Sequence, residues 1–585
     1  MLNRLYLVLA LALFISSCSE NANTNKDQNA DFDRFKNAYI ESLWKQAPSW
    51  ATSLGYHKFD SLLLVPDAAE RASDVAFFKS YEDSLKKFDL AQLSASNKID
   101  FNLLQNDFKS EIWALDTCKE WEWNPSVYNI SDAFEMVLDS KQSDINARLT
   151  SLAKKLKNVS AYYKAAKENI KNPTKEHTDL AVMQNQGCLS VLQQIKDSLS
   201  ISTLSEDEKK NIQADVDVAT AAVNDYIKWL TDLKPTLLTE KTARSFRLGK
   251  DLYMSKFNYQ MATDYTADEI YKIALQQKDT LHAKMIAISK QLWPTYFKNK
   301  PMPTNELDIV RKMIDTLSYQ HVNRDSFITA IKTLIPTIVS FINDKKLVYM
   351  DPAKPLVVRE TPLYMQGVAG ASMSSPGPYE QNNNAYYNVT PLNNETPEQA
   401  ESYLREYNNY LLQILSIHEA LPGHYVQLMY SNQSPSIIKS VFGNSTMIEG
   451  WAVYSERMMM EEGWGNNDPA LWLMYYKWNL RATCNTILDY GVHAQGMTKE
   501  EAMDLMVNQA FQQQAEAEGK WRRVQLTSVQ LCSYFTGFRE IYELRAEIKK
   551  RMGDKFDLKA FHEKFLSFGS APVKDIKRLM LEEVK

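Results

Sequence analysis

His418 and Glu419 stand side by side in the stretch HEALPGHYVQ, and a second imidazole follows at His424. A further carboxylate, Glu449, opens the run EGWAVYSE. Two imidazoles and one carboxylate are the protein ligands of many hydrolytic zinc centres, which keep a fourth position open for water or substrate. A glutamate next to one ligand histidine is placed to take a proton from that water and hand it to a leaving amine, which gives Glu419 the part of general base. One Zn2+ ion is the expected cofactor, because imidazole with carboxylate suits it and bound water then ionises near pH ~7. Glu456 is the rival third ligand. Seven residues after Glu449 and on the same helical face, it is better suited to orient a ligand histidine through a hydrogen bond.

The histidine spacing departs from the common pattern, in which ligands four apart share one face of a helix. His418 and His424 are six apart, which leaves them about 120° from one another on a regular helix. Pro422-Gly423 lies between them. Proline lacks an amide hydrogen and crowds the preceding turn, while glycine takes backbone angles closed to other residues. A break there is expected to bring both imidazoles to one point.

The elements that must hold these groups read as helices. From Asp33 to Lys345 apolar residues recur at three- and four-residue spacing, most clearly over 147–170 and 203–238, with breaks expected at Asn172-Pro173, Lys234-Pro235 and the stretch from Trp293-Pro294 to Pro303. His57, His177, His282 and His321 in this half have no second ligand type at useful spacing and are expected to be ordinary. Leu356-Val357-Val358 looks extended, 367–377 loop-like, and 385–390 alternates as a short strand. Tyr386, Tyr387 and Asn388 on that strand are candidates to line up an extended substrate backbone, with a plain hairpin as the other reading. Thr396-Pro397-Glu398-Gln399 is a capping box that starts a helix leading into the motif, with a break at Asn408-Asn409. A second helix is expected over 446–460, with Trp451 and Tyr454 walling the site.

The fold class expected is mainly α: two helical lobes flanking a deep cleft, with a small strand-bearing segment beside the metal-site helix. The organisation expected is a signal peptide over 1–17, a lipidated Cys18 with a tether to residue 32, a helical lobe over 33–345 and a catalytic lobe with the metal-site helices over 346–585, the two interwoven in one peptidase-like unit. Met1 to Arg4 is basic, 5–15 apolar and Ser16-Ser17 small before Cys18, a run too short to span a bilayer. Ile15-Ser16-Ser17-Cys18 resembles the bacterial lipobox. The membrane is therefore met only through a lipid anchor, at the bacterial cell envelope. A net charge of -5 gives no field to draw in a nucleic-acid backbone. Cys118, Cys188, Cys484 and Cys532 show no metal spacing and read as buried apolar fillers.

HEALPGHYVQ together with EGWAVYSE resembles the bacterial family known as domain of unknown function 885, whose pattern is His-Glu, two residues, Pro-Gly-His, two residues, Gln, then Glu-Gly-Trp-Ala. Ser375-Pro376-Gly377, Ala385-Tyr386-Tyr387-Asn388, Arg481-Ala482, 489–493 and 530–537 resemble its other segments, with Ser528 standing where the family usually has proline. In plan the family is similar to mostly helical zinc peptidases with glutamate as third ligand. That resemblance implies peptidase activity on short peptides, with a peptide as the partner. Within the later segments His493 and Tyr534 are candidate donors to the oxyanion, and Arg481 or Arg522 candidate partners of a substrate carboxylate. Phe561-His562-Glu563 lacks a second histidine and is expected to be inert. A surface protein that binds peptide or metal without turnover, or a hydrolase of another amide, would use the same residues differently. Glu419 favours catalysis, because a binding site needs no base beside its metal.

Overall fold

Apolar residues spaced for one face of a helix fold as helices almost throughout. The computed structural model describes residues 27–584 apart from 238–241, 355, 362–369, 381–383 and 394. The expected signal peptide and Cys18 lie outside these residues. The end of the expected tether is already helical: Gln28–Gln46 begins on an Asp27 cap, and Phe32, Tyr39 and Trp44 within it are fully buried.

The fold is mainly α with one small sheet, as the pattern of apolar residues predicts. The predicted stretch 147–170 forms Ile145–Leu156 and Val159–Asn169, and 203–238 contains Glu206–Leu233 behind a Ser205/Glu208 capping box. The break expected over 293–303 falls within that stretch, after Phe297. Helix Ala267–Phe297 runs through Pro294, which sits in its last turn where little helix remains to be disrupted. Beyond it, Pro397–Glu406 starts on the Thr396/Gln399 box, and Asn408 ends the following break by accepting from the amides of Tyr410 and Leu411.

Buried apolar residues form two cores. The smaller lies among the helices of 128–230, and the larger draws on residues from Phe32 to Met580. The larger core takes residues from both sides of position 345. Asp100 ties the two sides together: it binds Lys36 at 2.7 Å, Lys439 at 2.7 Å and the Ser436 hydroxyl at 2.6 Å, all in the interior, joining the first helices to the later part of the chain. The helix that carries His177, part of the smaller core, meets the later chain where the His177 ring bonds the carbonyl of Leu526 at 3.1 Å.

The sheet has the order β1-β3-β2, with β1 Val357–Glu360 parallel to β3 Tyr386–Val389 and β2 Ala371–Ser374 antiparallel to it. Strand β2 falls in the stretch expected to be loop. Its sequence, Ala-Ser-Met-Ser, has little strand propensity of its own, and pairing with β3 makes it extended. Helices Ser445–Glu461 and Ser533–Met552 cross at Gly450 and Gly537, where a Cβ on Gly537 would stand 1.8 Å from the Thr446 carbonyl oxygen.

This crossing predicts a sharp size limit. Gly537→Ala should lower the thermal midpoint by the cost of overpacking, about 1–3 kcal/mol or more. Gly519→Ala, at a helical position with no atom within 4 Å of its Cβ, should raise stability by up to about 1 kcal/mol. Equal midpoints for the two variants would show that the crossing is looser than its geometry indicates.

Candidate metal centre

The motif helix ends before the second histidine. Leu411–Glu419 stops, residues 420–423 turn, and His424–Asn432 begins a new helix. The turn is held from within by the amides of Leu421 and Gly423, which donate to the carbonyls of Ser416 at 3.2 Å and Ile417 at 3.0 Å. It is held from outside by the Trp451 indole, which donates to the Pro422 carbonyl at 2.8 Å. Gly423 approaches the motif helix so closely that a Cβ would lie 1.9 Å from the His418 carbonyl oxygen. The break predicted from Pro422-Gly423 is thus a full interruption between two helices.

The interruption brings the two imidazoles edge to face, 4.9 Å apart at their centres. Glu449, one turn into Ser445–Glu461, completes the group, and one ligand atom from each of the three lies within 4.8 Å of the others. Its Oε2 is 3.6 Å from Nε2 of His418 and 3.5 Å from Nε2 of His424. Two ligands held at about 2.0–2.2 Å from one tetrahedral ion stand roughly 3.3–3.6 Å apart. That oxygen is buried and makes no hydrogen bond, a costly state unless a cation satisfies it. The donor set and the orphaned oxygen both fit a zinc-sized ion.

Glu456 does not join the three. It is fully buried and its Oε1 accepts from Nδ1 of His418 at 2.6 Å and from the Trp478 indole at 2.9 Å. A proton fixed on Nδ1 leaves Nε2 as the ligand atom, the arrangement by which carboxylates commonly orient metal-binding histidines. Burial alone would push the Glu449 carboxyl up, but the two imidazoles hold it well below the carboxylate range. Burial opposes charge on His418 too, and the carboxylates of Glu449 and Glu456 nevertheless hold its pKa well above the ordinary value.

Glu419 shares with His418 a cavity of about 350 Å³ whose walls include Trp478, Arg481, Lys520 and Tyr534. Burial pushes the Glu419 carboxyl up, and Glu449 adds to this against the pull of the two imidazoles. The Tyr534 ring stacks over His418 with centres 6.3 Å apart, and burial keeps its hydroxyl protonated and a donor. Gly370 and Ala371, at the start of β2, also line this space.

Other expected residues sit elsewhere. His493 is buried with Nε2 donating to the carbonyls of Val524 at 2.8 Å and Thr527 at 3.0 Å, so it fastens the end of helix Gln514–Leu526 and does not line the cavity. Arg522 is exposed, reaching toward Met183, while its neighbour Arg523 lines the cavity: one residue turns a helix face by about 100°. Arg481 lines the cavity as expected, but its guanidinium already binds Glu516 and lies over Trp478 at 5.2 Å. Strand β3 is flanked on both sides, so Tyr386, Tyr387 and Asn388 have no free edge for a substrate. Asn388 bonds Ser374 at 2.7 Å and Arg359 at 2.7 Å, Arg359 also lies over the Tyr386 ring at 3.8 Å, and Tyr387 is buried. Trp451 serves the turn, and Tyr454 bonds His562 at 2.8 Å instead of walling the site.

The remaining histidines and cysteines lie away from the ligand group. His562 also bonds the Leu347 carbonyl at 2.7 Å, and burial pushes its pKa down to about 4. His57, His177, His282 and His321 each bond a nearby side chain or carbonyl, and the four described cysteines are free and buried. Reading the sequence alone missed Trp478, Lys520, Glu516 and Arg523. The signal that could have found the last three is the spacing of Glu516, Lys520 and Arg523, which puts them near one face of a helix.

Among curated proteins nothing matches. Over 94% of this chain and 99% of its own length, a solved "putative lipoprotein of unknown function" from Shewanella oneidensis is 49% identical, with a TM-score of 0.88. A "putative lipoprotein" from Colwellia psychrerythraea shares the fold at 17% identity and a TM-score of 0.75, over 95% of this chain and 99% of that one. The model of a bacterial protein family of unknown function, DUF885, matches residues 48–580, and the chain belongs to that family.

Proposed function

We propose that the protein is a zinc-dependent peptidase of the bacterial cell envelope that hydrolyses short peptides. One observation carries the reading: the carboxyl of Glu419 opens on the same cavity as His418, beside a buried ligand group with an orphaned carboxylate oxygen. A zinc ion held by His418, His424 and Glu449 would polarise a substrate carbonyl and acidify a water. Glu419 accepts the proton of the attacking water and delivers it to the departing amine nitrogen. Tyr534 donates its hydroxyl to the oxygen of the carbonyl under attack as charge develops there. Glu456 keeps the His418 ring in the required tautomer. Strand β2 supports the reading further. Among the described residues it pairs only with β3, so its other edge can take up an extended substrate backbone.

The envelope location rests on the basic, apolar and small-residue order of residues 1–18. That the Shewanella oneidensis relative is described as a "putative lipoprotein" supports it. Attachment through Cys18 would leave the membrane contacted only by lipid.

Glu419→Gln should retain zinc at one ion per chain, measured by plasma emission, and lose about 10²–10⁴ in kcat on a mixed peptide library. A fully active Glu419→Gln enzyme would rule the mechanism out. Glu449→Gln should lose the metal itself, and Glu456→Gln should weaken metal affinity by about 10–100-fold in competition with a chelator. Wild-type cleavage should stop on chelation and return with added zinc. Binding of peptide without turnover would point instead to a carrier.

A further inference from the structure

The wall of the cavity away from the metal group is cationic beyond what its own carboxylates require. Arg481 and Lys520 reach it from helices Pro469–Gln495 and Gln514–Leu526, and Arg523 joins them. Lys477 stands behind, paired with Glu406 at 2.8 Å. Arg481 binds Glu516 and has its other terminal nitrogen 3.9 Å from Glu406. Four cations thus face two carboxylates, and both carboxylates are engaged.

Lys520 is the residue left over. It is 6% exposed, and its ammonium donates to the side-chain oxygen of Asn485 at 2.9 Å, a neutral acceptor. Among the described residues no carboxylate lies within ion-pair distance of it. Burial, with Arg481 nearby, pushes its pKa well below the ordinary value, the sign of a charge held at a cost. Arg523 donates to Gln530 at 2.7 Å, again a neutral acceptor. Native chains rarely keep an ammonium buried against neutral partners without a use for it.

The position of this excess charge points to its use. Trp478 stands 6.5 Å from the His418 ring and carries Arg481 on its face, and Tyr534 lies between His418 and the Arg523 side. The cavity, at about 350 Å³, is near the lower end of small-molecule sites, about 300 Å³. It has room for a short peptide fragment and none for a folded chain.

We infer that Lys520, with Arg523, receives the free α-carboxylate of the substrate, so that the enzyme acts from the carboxyl terminus and removes a short C-terminal fragment. The inference rests on the peptidase reading for the cleavage step, but the carboxylate site itself does not. An anion seated there supplies Lys520 with the partner that the chain withholds and sets the scissile bond at a fixed distance from Glu419. A peptide ending in an amide forfeits the charge-assisted hydrogen bonds.

The test uses the full chain stripped of metal by chelation, so that no ion competes for the carboxylate. Calorimetric titration with N-acetyl-phenylalanine and with its C-terminal amide should show the acid binding at least about tenfold more tightly, the scale of one hydrogen bond to a charge. Lys520→Met should erase the difference with an unchanged thermal midpoint. Arg523→Gln, at an exposed position that folding does not need, should reduce it. Equal binding of the two probes, binding of neither, or a preference untouched by Lys520→Met overturns the inference. In the zinc-loaded enzyme a free-acid peptide should be cleaved at least tenfold faster than its amide. Equal cleavage overturns C-terminal recognition while leaving the peptidase intact, whereas absence of chelator-sensitive cleavage overturns the peptidase and leaves the binding result standing.

Discussion

Between His418 and His424 the backbone folds back on its own helix, and the missing side chain of Gly423 is what lets it do so. A methyl group there would occupy the space of the His418 carbonyl oxygen, and the turn over 420–423 would have to open. Two imidazoles six residues apart would then return toward the separation of a regular helix, too far round to share one point. The rest of the site is hung on this turn. Trp451 holds its outer side from helix Ser445–Glu461, and the same helix presents Glu449 two residues earlier. That helix is in turn set by its crossing with Ser533–Met552 at Gly450 and Gly537, which carries Tyr534 to the face of His418.

The charges gathered there would destabilise the chain if stability were the only demand. Glu419, Glu449 and Glu456 are withdrawn from water around two imidazoles, and burial opposes ionisation of each carboxylate. Buried ion pairs rarely repay their desolvation in full. Here the satisfied contacts, Glu456 to His418 and Trp478, orient a ligand, while the unsatisfied one, Oε2 of Glu449, faces the point where an ion would sit. The cavity repeats the pattern at its other end, where Lys520 is buried against a neutral amide. Lys520 lines the same cavity as His418 and Glu419, so a buried cation with a neutral partner shares its space with a ligand histidine and the carboxyl beside it.

Much of the fold was legible in the residues. Helical periodicity over the first half, the Thr396/Gln399 cap, the pause at Asn408 and the interruption at Pro422-Gly423 are local matters, and local chemistry decides them. Three misses share the opposite character. Strand β2 is extended because β3 lies beside it, although Ala-Ser-Met-Ser alone reads as loop. Arg522 and Arg523 are adjacent in the chain, and only the docking of helix Gln514–Leu526 decides which of them faces the cavity. His493 carries a side chain fit for catalysis, yet its two carbonyl partners use it to fasten a helix end.

The sequence by itself determined the candidate ligand group, His418 and His424 with Glu449 or its rival Glu456 and with Glu419 alongside, because these follow from residue types and from a turn that proline and glycine impose on their immediate neighbours. It also determined that the chain would be helical, since helix formation is read within a few residues. Only the tertiary structure decided that Glu456 orients while Glu449 points inward, that β3 is closed and β2 open, and that four cations meet two carboxylates beside the motif. Those outcomes depend on contacts between segments tens to hundreds of residues apart, where packing and the exclusion of water choose among faces that the sequence presents as equivalent.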